Sequence, residues 1–493
     1  MKVLLVCKGE YRYFFPAIAC ALRRRYGAEV SAVTFSSAAT RMLEKTDTFC
    51  DLLNLAAHLK SRVPQTNPET DRSILQKLEA LAGGVRINTM IHADRIVSRY
   101  SHGQILSILA EASEFWDGVL NQVRPDIIMG EVACATEWIG WLKAHHRRIP
   151  YLIPSATPVA KRFYFLNAPD GTWKAMDDAF AELHKRELTF DEIMIAEQFI
   201  GSFRDQKTKP PFLSWAQRSP LTPEFSRLAR RTKRISFRVR SYIEDGKYEV
   251  GSYHGTPPWR PLWEDAMRIM RHAAAEAAFQ AHRIDEQWPY VYFPLHVQPE
   301  FTTDVRAPFF TNQVALIENI SKSLPPGYEI AVKEHPGMKG ERALGEYRAL
   351  KKLHNVQLLS PSIDSHRLIQ GAAAVLTITG SSAWEAMLYE KPVIAFGPLY
   401  YGFSRLSYQC EKFNDLPGII SEALGRFIPD HSELLKLVVA FLQTAYELEW
   451  GDPIRQPHIV EMHNAEKVAD AIAKENASSF AHERQETMLA QKW

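Results

Sequence analysis

The chain has 493 residues, of which 46% are hydrophobic and 24% are charged, a composition typical of a soluble globular protein with two or three domains. Its formal net charge is only +2, from 59 basic and 57 acidic residues, so a nucleic-acid partner is not expected. The 5 cysteines are widely spaced and include no Cys-x-x-Cys pair. This excludes a disulfide framework or a cysteine zinc site and favours reduced thiols in the cytosol.

The N-terminal part predicts the start of a parallel α/β sheet. An apolar strand at 2–7 is followed by a helical pattern and by a second strand at 29–35. Further strands are predicted at 126–130 and 151–154, with a helix between them. Because strands and helices alternate, we expect residues 1–160 to form a Rossmann-like domain.

The chain then changes in character and later returns to the same pattern. Residues 161–285 are rich in Arg, Lys, Trp and Pro, and they predict a helical insertion or linker. Short apolar strands alternate with helices over 286–425, which predicts a second Rossmann-like domain. Residues 426–493 predict a C-terminal helical segment. The expected fold class is therefore α/β, with two Rossmann-like domains and a ligand cleft between them.

Two features bear on the location of the protein. The first apolar run is too short for a signal peptide, and no window offers the roughly 20 apolar residues of a transmembrane helix. We therefore expect a cytoplasmic protein, either free or at the inner face of the cytoplasmic membrane. Residues 227–240 form a basic stretch that could bind anionic lipid headgroups; the alternative is a solvated helix face. Its basic side chains are Arg227, Arg230, Arg231, Lys233, Arg234, Arg238 and Arg240.

The strongest candidate site combines two turns, each directly after a predicted strand. They contain Lys333, Glu334, His335 and Pro336 in the first, and Gly380, Ser381, Ser382 and Glu385 in the second. Parallel strands end at one edge of a sheet, so the two turns are expected to converge. A helix N-terminus with serine hydroxyls suits a phosphate, and the carboxylate one turn further suits a ribose. The alternative is a helix cap with a capping box at the second turn.

A second candidate segment follows the first strand of the second domain. His296, Gln298 and Glu300 alternate along it, so in an extended chain their side chains would point the same way. We predict that they contact a ligand bound at the strand ends, with His296 stabilising its leaving group. The alternative is an ordinary surface loop.

A third candidate lies in the first domain. Glu131 follows the strand at 126–130, where a carboxylate could deprotonate an acceptor hydroxyl or act as a nucleophile. The alternative is that Glu131 or Thr136 only begins the next helix. On the same edge, Gly9 and Glu10 in a tight turn and Ser155 after a later strand are predicted to contact an acceptor.

The motifs together resemble a known family. Three segments are similar to those of the bacterial capsule polysaccharide biosynthesis family, which includes 3-deoxy-manno-octulosonic acid (Kdo) transferases. They are the run at 293–300, the Glu-His-Pro turn at 334–336 and the Gly-Ser-Ser turn at 380–382. The His-Pro and Ser-Ser elements also resemble those of bacterial sialyltransferases and polysialyltransferases. The resemblance covers about residues 290–400; the first domain matches only in its general organisation.

The resemblance implies a GT-B glycosyltransferase that uses a CMP-activated sugar. In such an enzyme, His335 and the turn at 380–382 would hold the cytidine and phosphate, and Glu385 would bind the ribose. The donor would lie in the C-terminal domain and the acceptor in the N-terminal one. No Asp-x-Asp motif lies at a strand end, so neither a metal nor a cofactor is expected.

The expected function is transfer of Kdo or a related ulosonic acid from CMP to a glycan or lipid-linked acceptor, in capsule or lipopolysaccharide biosynthesis. Two alternatives stay open. One is a CDP-polyol phosphotransferase of the teichoic acid type, which has similar His-Pro and Ser-Ser elements. The other is a non-catalytic protein of polysaccharide assembly.

Overall fold

A computed structural model describes most of the chain. The described residues are 1–65, 67–82, 86–207, 225–251, 256–257, 259–276, 279, 284, 287–338, 340–399, 401–402 and 404–490. Within these ranges, the side chains of 225–234 and 479–490, of residue 301 and of several residues in 260–276 lie outside the description.

The first domain is built on a sheet of six strands. They are β1 (Lys2–Cys7), β2 (Glu29–Thr34), β3 (Leu52–Asn54), β4 (Ile127–Gly130), β5 (Tyr151–Ala156) and β6 (Phe163–Leu166), in the spatial order β3-β2-β1-β4-β5-β6. The first five are parallel, and β6 is antiparallel to β5. Central β1 is buried except at its first residue, because helices cover both faces of a doubly wound sheet. The sheet continues past residue 160, the predicted end of this domain.

Helices cover the first sheet and connect its strands. They are α1 (Phe15–Tyr26), α2 (Ser37–Glu44), α3 (Leu55–Arg62), α4 (Pro68–Leu81), α5 (Ile87–Ala93), α6 (His102–Val123) and α7 (Ala135–His146). Their ends follow local sequence signals. Helix α1 stops at Gly27, which adopts a left-handed φ of 58°, and the Ser36 side chain caps α2 by accepting from Ala39 N at 3.2 Å.

The second domain repeats the same topology. Its strands are β7 (Tyr290–Pro294), β8 (Glu329–Lys333), β9 (Val356–Leu359), β10 (Ala374–Thr377), β11 (Val393–Ala395) and β12 (Ser407–Gln409), in the spatial order β12-β11-β10-β7-β8-β9. All of these pairings are parallel. In both sheets the first strand in sequence lies centrally, and the chain winds outward from it in both directions. The predicted fold class, two Rossmann-like α/β domains, is confirmed.

The remaining helices belong to the insertion, the second domain and the C-terminal segment. They are α8 (Lys174–Leu183), α9 (Phe190–Gln206), α10 (Phe225–Glu244), α11 (Arg260–Glu276), α12 (Phe301–Asp304), α13 (Gln313–Ser323), α14 (Leu344–Lys351), α15 (Ser365–Gly371), α16 (Ser382–Leu388), α17 (Leu416–Gly425), α18 (His431–Thr444) and α19 (Met462–Ala490). No helix within the described part of the chain has both the length and the apolar character needed to cross a membrane.

The predicted insertion is helical, and its parts pack in different places. Helices α8 and α9 pack against α18. The end of α10 docks on the first domain, where Ser37 donates to Asp245 from its backbone N at 2.7 Å and from its hydroxyl at 2.6 Å. The Arg12 guanidinium lies 3.7 Å from the centroid of the Phe237 ring, which fixes α10 beside the first βα turn.

Most of the basic stretch lies outside the described side chains, including Arg227, Arg230, Arg231, Lys233 and Arg234. The two remaining members have partners within the protein. Arg238 donates to the Thr256 hydroxyl, and burial lowers the pKa of Arg238. Arg240 pairs with Glu244 at 3.1 Å. These two arginines therefore contribute to packing of the insertion.

The C-terminal segment returns to the first domain. The backbone of Tyr446 pairs with Phe163 through two hydrogen bonds of 2.7 and 3.0 Å, and the Trp450 ring packs on Tyr11 and Phe163. Helix α19 then lies along α1, and its apolar residues complete the core on that face of the first sheet. The chain therefore crosses between the two domains twice.

Candidate functional site

The carboxyl ends of the central strands in the two sheets are linked by a short bridge. Helix α5 contacts both α7 and α12, and therefore lies between the domains. Directly after α5, the Asp94 carboxylate accepts a hydrogen bond from Ala135 N at 2.8 Å, at the end of the β4–α7 loop. Its neighbour Arg95 donates to the carbonyl of Pro299, after β7. Asp94 and Arg95 thus connect the loops that follow β4 and β7, which carry candidate residues of the two domains.

Glu334 stabilises the turn after β8 from inside the protein. Its side chain is fully buried, and its carboxylate accepts from Arg342 Nε at 2.7 Å, from the Tyr347 hydroxyl at 2.7 Å and from His335 N at 2.6 Å. A buried carboxylate needs such partners, because an isolated charge is costly there. We predicted Glu334 as a nucleotide ligand; the structure instead uses both of its oxygens to hold the turn.

His335 is oriented by the same turn. Its Nδ1 accepts a hydrogen bond from Gly337 N at 3.1 Å, within the 3₁₀ turn Pro336–Met338. Burial and the nearby positive charges of Lys333 and Arg342 lower the pKa of His335 to about 4. The ring is therefore neutral at pH 7 and carries its proton on Nε2, which makes Nε2 a hydrogen-bond donor.

His296 is buried at the end of β7 with its backbone fixed. Its backbone N donates a hydrogen bond to Gln313 Oε1 at 2.7 Å, and Arg342 donates to its carbonyl at 2.9 Å. Burial, with the neighbouring His335 and Arg342, lowers the pKa of His296 to about 3, so the ring is neutral. Its Nε2 lies 2.9 Å from the Thr377 hydroxyl. Its Nδ1 is buried and has no hydrogen-bond partner in the described residues.

The turn after β10 lies directly against His296. A Cβ on Gly380 would lie 2.9 Å from His296 Nε2 and 2.8 Å from Thr377 Oγ1, closer than real Cβ atoms come, so only glycine fits. Gly380 N also donates to the Thr377 hydroxyl at 3.1 Å. Ser381 makes no side-chain capping hydrogen bond, so the capping-box alternative is not supported. Within the described residues, the buried hydroxyl of Ser382 has no partner.

Glu385 is buried one turn into α16, behind the serines. Gln298 and Glu300 do not extend along the cleft as predicted. The Gln298 amide donates to Asp304 at 2.9 Å and to the Thr311 carbonyl at 2.7 Å, so it is used to hold the loop that leads into α12. Burial raises the pKa of Glu300, opposed by nearby Arg95. Of the predicted segment, His296 alone joins the turns at 335 and 380.

Glu131 lies at the end of β4 with an ordered carboxylate. The Tyr11 hydroxyl donates to its Oε1 at 2.6 Å, and Trp450 Nε1 donates to that hydroxyl at 3.0 Å. Trp450 belongs to the returning C-terminal segment. Sequence reasoning missed both contacts, because residues 120 and 439 positions apart give no local signal of contact.

A buried ion pair lies beside Glu131. Lys8 Nζ donates to Glu137 at 3.2 Å, and the same carboxylate oxygen accepts from Ala133 N at 2.8 Å and Cys134 N at 3.1 Å. Burial raises the pKa of Glu137, and its other oxygen has no partner in the described residues. Burial opposes the charge on Lys8, but Cys134, Glu137 and Glu131 hold its pKa above the ordinary value. Lys8 directly precedes Gly9 and Glu10, which the sequence predicts as acceptor contacts, but Lys8 itself is not among the predicted site residues.

The predicted acceptor residues are only partly available. Gly9 has a φ of 52°, which the tight turn requires. Glu10 forms an ion pair with the buried Arg12 at 2.7 Å, and the Ser155 hydroxyl bonds to Tyr164. Glu10 and Ser155 therefore stabilise the rim of the cleft. In the part of the chain that the structure describes, no group of three His, Cys, Asp or Glu side chains could hold a metal ion.

These features define a two-domain α/β protein of GT-B-like organisation. Residues 254–414 match the sequence model of the family described as capsule polysaccharide biosynthesis protein. The match covers less than half of the chain, and it contains both turns of the candidate donor site. The resemblance that the sequence predicted over 290–400 is confirmed.

Individual relatives are more distant. Over 92 residues the chain is 35% identical to the capsule polysaccharide modification protein LipA of Neisseria meningitidis serogroup B; this stretch is 18% of the chain and 12% of LipA. The chain thus matches only about an eighth of the length of that relative. Among solved structures, a beta Kdo 2,4 transferase, KpsC of Thermosulfurimonas dismutans, is 15% identical with a TM-score of 0.39, covering 71% of this chain and 87% of that one. The UDP-GlcNAc 2-epimerase of Methanocaldococcus jannaschii is 12% identical with a TM-score of 0.31, covering 90% and 99%.

Proposed function

We propose that the chain is a glycosyltransferase of capsule or lipopolysaccharide assembly. It would transfer Kdo or a related ulosonic acid from a CMP donor to a glycan or lipid-linked acceptor. The match of residues 254–414 to the capsule polysaccharide biosynthesis family supports the pathway. The donor and the reaction are argued below from the two halves of the cleft.

The observation that carries the proposal is the set of buried polar atoms around Gly380. Within the described residues, Ser382 Oγ and His296 Nδ1 are buried without a hydrogen-bond partner. An unsatisfied buried polar group costs about 1–3 kcal/mol, so such groups persist where a ligand satisfies them. The Thr377 hydroxyl accepts from Gly380 N and can donate to His296 Nε2, which leaves the ring proton on Nδ1. Ser382 and His296 would then offer two donors, with His335 Nε2 as a third.

Three neutral donors suit a phosphate that gains charge as its sugar leaves. Hydrogen bonds to an ionised group are stronger than neutral ones, and donors aimed at developing charge are each worth about 10²–10³ in rate. The imidazoles of His296 and His335 are neutral before the donor binds, so an incoming phosphate displaces no counterion. The turns at 335 and 380 would therefore stabilise CMP as the leaving group.

The opposite edge of the cleft supplies a carboxylate for the acceptor. Glu131 would accept the proton of the attacking hydroxyl, held in place by its 2.6 Å hydrogen bond from Tyr11. The buried pair of Lys8 and Glu137 lies beside it and keeps the local charge balanced. The acceptor would thus be bound by the first domain and the donor by the second.

Attachment to an anionic membrane surface through residues 227–240 stays a prediction. Five of the seven basic side chains lie outside the described residues, and Arg238 and Arg240 have partners within the protein.

A donor screen tests the proposal. CMP is expected to raise the melting temperature of the protein, whereas UDP and GDP are not. Incubation with CMP-Kdo should then give labelled glycan. A stabilising effect of UDP alone would refute the CMP assignment, and product from CDP-glycerol would favour the polyol-phosphate alternative. Absence of nucleotide binding would refute the whole proposal.

Ser382→Ala makes the test specific to the site. The hydroxyl has no partner in the described residues, so its removal should leave the free energy of unfolding unchanged or slightly higher. CMP affinity should nevertheless fall about tenfold, the equivalent of 1.4 kcal/mol. Ser113→Ala is the matched control, because its hydroxyl is equally buried and unpartnered but lies in α6 of the first domain. If both variants bind CMP like the unchanged protein, the phosphate site is misplaced.

A further inference from the structure

A cavity of about 430 Å³ lies between the turn that follows β5 and the start of α19. It is separate from the donor site, since all of its lining comes from the first domain and the returning C-terminal segment. Its polar lining includes the cations Lys161, Arg162 and Lys467, the imidazoles of His458 and His463, and the carboxylates of Glu447 and Glu449.

The cavity has an excess of positive charge. Both carboxylates are already engaged: Glu447 pairs with Arg162 at 2.8 Å, and Glu449 pairs with His458 at 2.6 Å. Lys161 and Lys467 are different, because neither ammonium group makes an ion pair or hydrogen bond to any described residue. Lys161, Arg162 and Lys467 outnumber the two carboxylates of the lining, and this excess of positive charge favours an anionic ligand.

The first wall of the cavity is held rigid by Thr157. This buried hydroxyl lies 2.6 Å from the carbonyl of Val159 and 2.9 Å from that of Arg162, and it accepts from Val159 N at 3.0 Å. The turn holds Lys161 at a φ of 59°, a left-handed conformation that is unfavourable for a residue with a Cβ. The position of Lys161 is therefore imposed by the fold.

The second wall is held by Asn464, which is buried. Its amide donates to the carbonyls of Glu449 at 2.9 Å and Ile459 at 2.8 Å, and its oxygen accepts from Glu449 N at 3.0 Å. The start of α19 is thereby tied to the segment before it. With both walls fixed, a ligand would bind without the cost of ordering them.

The cavity is close to the predicted base. Trp450 directly follows the wall residue Glu449, and its Nε1 donates to the Tyr11 hydroxyl, which in turn donates to Glu131. A saccharide whose terminal hydroxyl lies at Glu131 could therefore run past Trp450 toward the lysines. Trp450 itself is half-buried and packs on Tyr11 and Phe163, so it fixes the position of the wall next to Glu131.

We propose that this cavity is an acceptor subsite that binds an acidic saccharide through a carboxylate or phosphate group. The inference rests on the proposed function, since it concerns the acceptor of that reaction. Lys161 and Lys467 bind the anionic group, away from the reacting hydroxyl. They thereby select acidic over neutral glycans.

The test measures saccharide binding by calorimetry without any donor. Trigalacturonic acid supplies carboxylates, maltotriose is the neutral probe of similar size, and inorganic phosphate is the free anion. The double variant Lys161→Gln/Lys467→Gln removes both cations. Its matched control is Lys351→Gln/Lys352→Gln, which neutralises two exposed lysines on the second domain.

The unchanged protein is expected to prefer trigalacturonic acid to maltotriose. The double variant should weaken that binding at least tenfold, while the control should not change it. The proposal is overturned if the double variant binds trigalacturonic acid as tightly as the unchanged protein, or if there is no preference over maltotriose. It is also overturned if inorganic phosphate shows lysine-dependent binding and trigalacturonic acid does not, since the cavity would then be a site for the free anion. CMP affinity, measured separately, reports on the proposed function and should be the same in the unchanged protein and both double variants.

Discussion

Gly380→Ala should disrupt the donor site from within. The new Cβ would lie 2.9 Å from His296 Nε2 and 2.8 Å from Thr377 Oγ1, and neither neighbour can move easily. Thr377 is a buried residue of β10, and the backbone of His296 is held by Gln313 and Arg342. The methyl group must therefore push the imidazole off the Thr377 hydroxyl or bend the turn.

The expected cost can be estimated from these contacts. Inserting one methyl into a close-packed site costs about 1–3 kcal/mol. Weakening the hydrogen bond between His296 and Thr377, and the one from Gly380 N, adds about 1 kcal/mol. We expect the free energy of unfolding to fall by about 2–4 kcal/mol. CMP affinity should fall by at least about tenfold, because His296 and Ser382 would no longer face one phosphate.

Urea denaturation and calorimetric titration with CMP measure the two effects. Gly345→Ala is the control, because a Cβ at this position of α14 would meet nothing within 4 Å. That variant should keep its CMP affinity and gain up to about 1 kcal/mol in stability, since alanine favours a helix. If Gly380→Ala unfolds at the same urea concentration as the unchanged protein and binds CMP equally well, the packing argument fails.

Three further predictions concern individual side chains. Glu131→Gln should lower transfer by about 10²–10⁴ while leaving CMP affinity unchanged; retained transfer would remove Glu131 as the base. Arg342→Met should lower the free energy of unfolding by about 3–5 kcal/mol in urea denaturation, because it leaves the buried carboxylate of Glu334 without its cation. The control Lys322→Met breaks an exposed pair with Glu318 and should lower it by less than about 1 kcal/mol. Similar losses in both variants would contradict that contrast. His296 has a pKa of about 3 in the fold and about 6.5 in the unfolded chain. Between these pH values the unfolded chain binds more protons than the folded one. The free energy of unfolding therefore falls as the pH drops below about 6.5. His296→Gln should reduce this slope by up to about 1.4 kcal/mol per pH unit, measured by urea denaturation at pH 7, 6 and 5, and an unchanged slope would show that the ring is not buried as a neutral group.

Local patterns were enough to predict the alternation of strands and helices in both domains, but not the order of the strands. Strands such as Lys2–Cys7 and Glu329–Lys333 are apolar runs between helices, and burial on both faces requires that pattern. Strand Phe163–Leu166 was assigned to the insertion instead. It is an antiparallel edge strand that follows a short turn, so it does not fit the alternation of strands and helices. Helix α13 begins at Gln313, because the Asn312 side chain caps it by accepting from Ala315 N.

The candidate site was predictable to the extent that its residues follow strands. His296, His335 and Gly380 lie after β7, β8 and β10, so parallel topology alone brings them to one edge. Glu334 and Gln298 also follow strands, but their side chains form hydrogen bonds within the protein, with Arg342 and Asp304 respectively. A motif gives the type of residue and not the direction of its side chain. Contacts such as those of Lys8 with Glu137 depend on tertiary packing and leave no periodic signal.

The double crossing of the chain limits how the cleft can open. One connection leaves the first sheet after Leu166 and reaches the second at Tyr290, and the other returns where Tyr446 pairs with Phe163. Two covalent connections restrict the relative rotation of the domains more than a single tether would. The returning segment also carries Trp450, which donates to the Tyr11 hydroxyl, and that hydroxyl donates to Glu131. A displacement of the returning segment would therefore move Tyr11 and the Glu131 carboxylate with it.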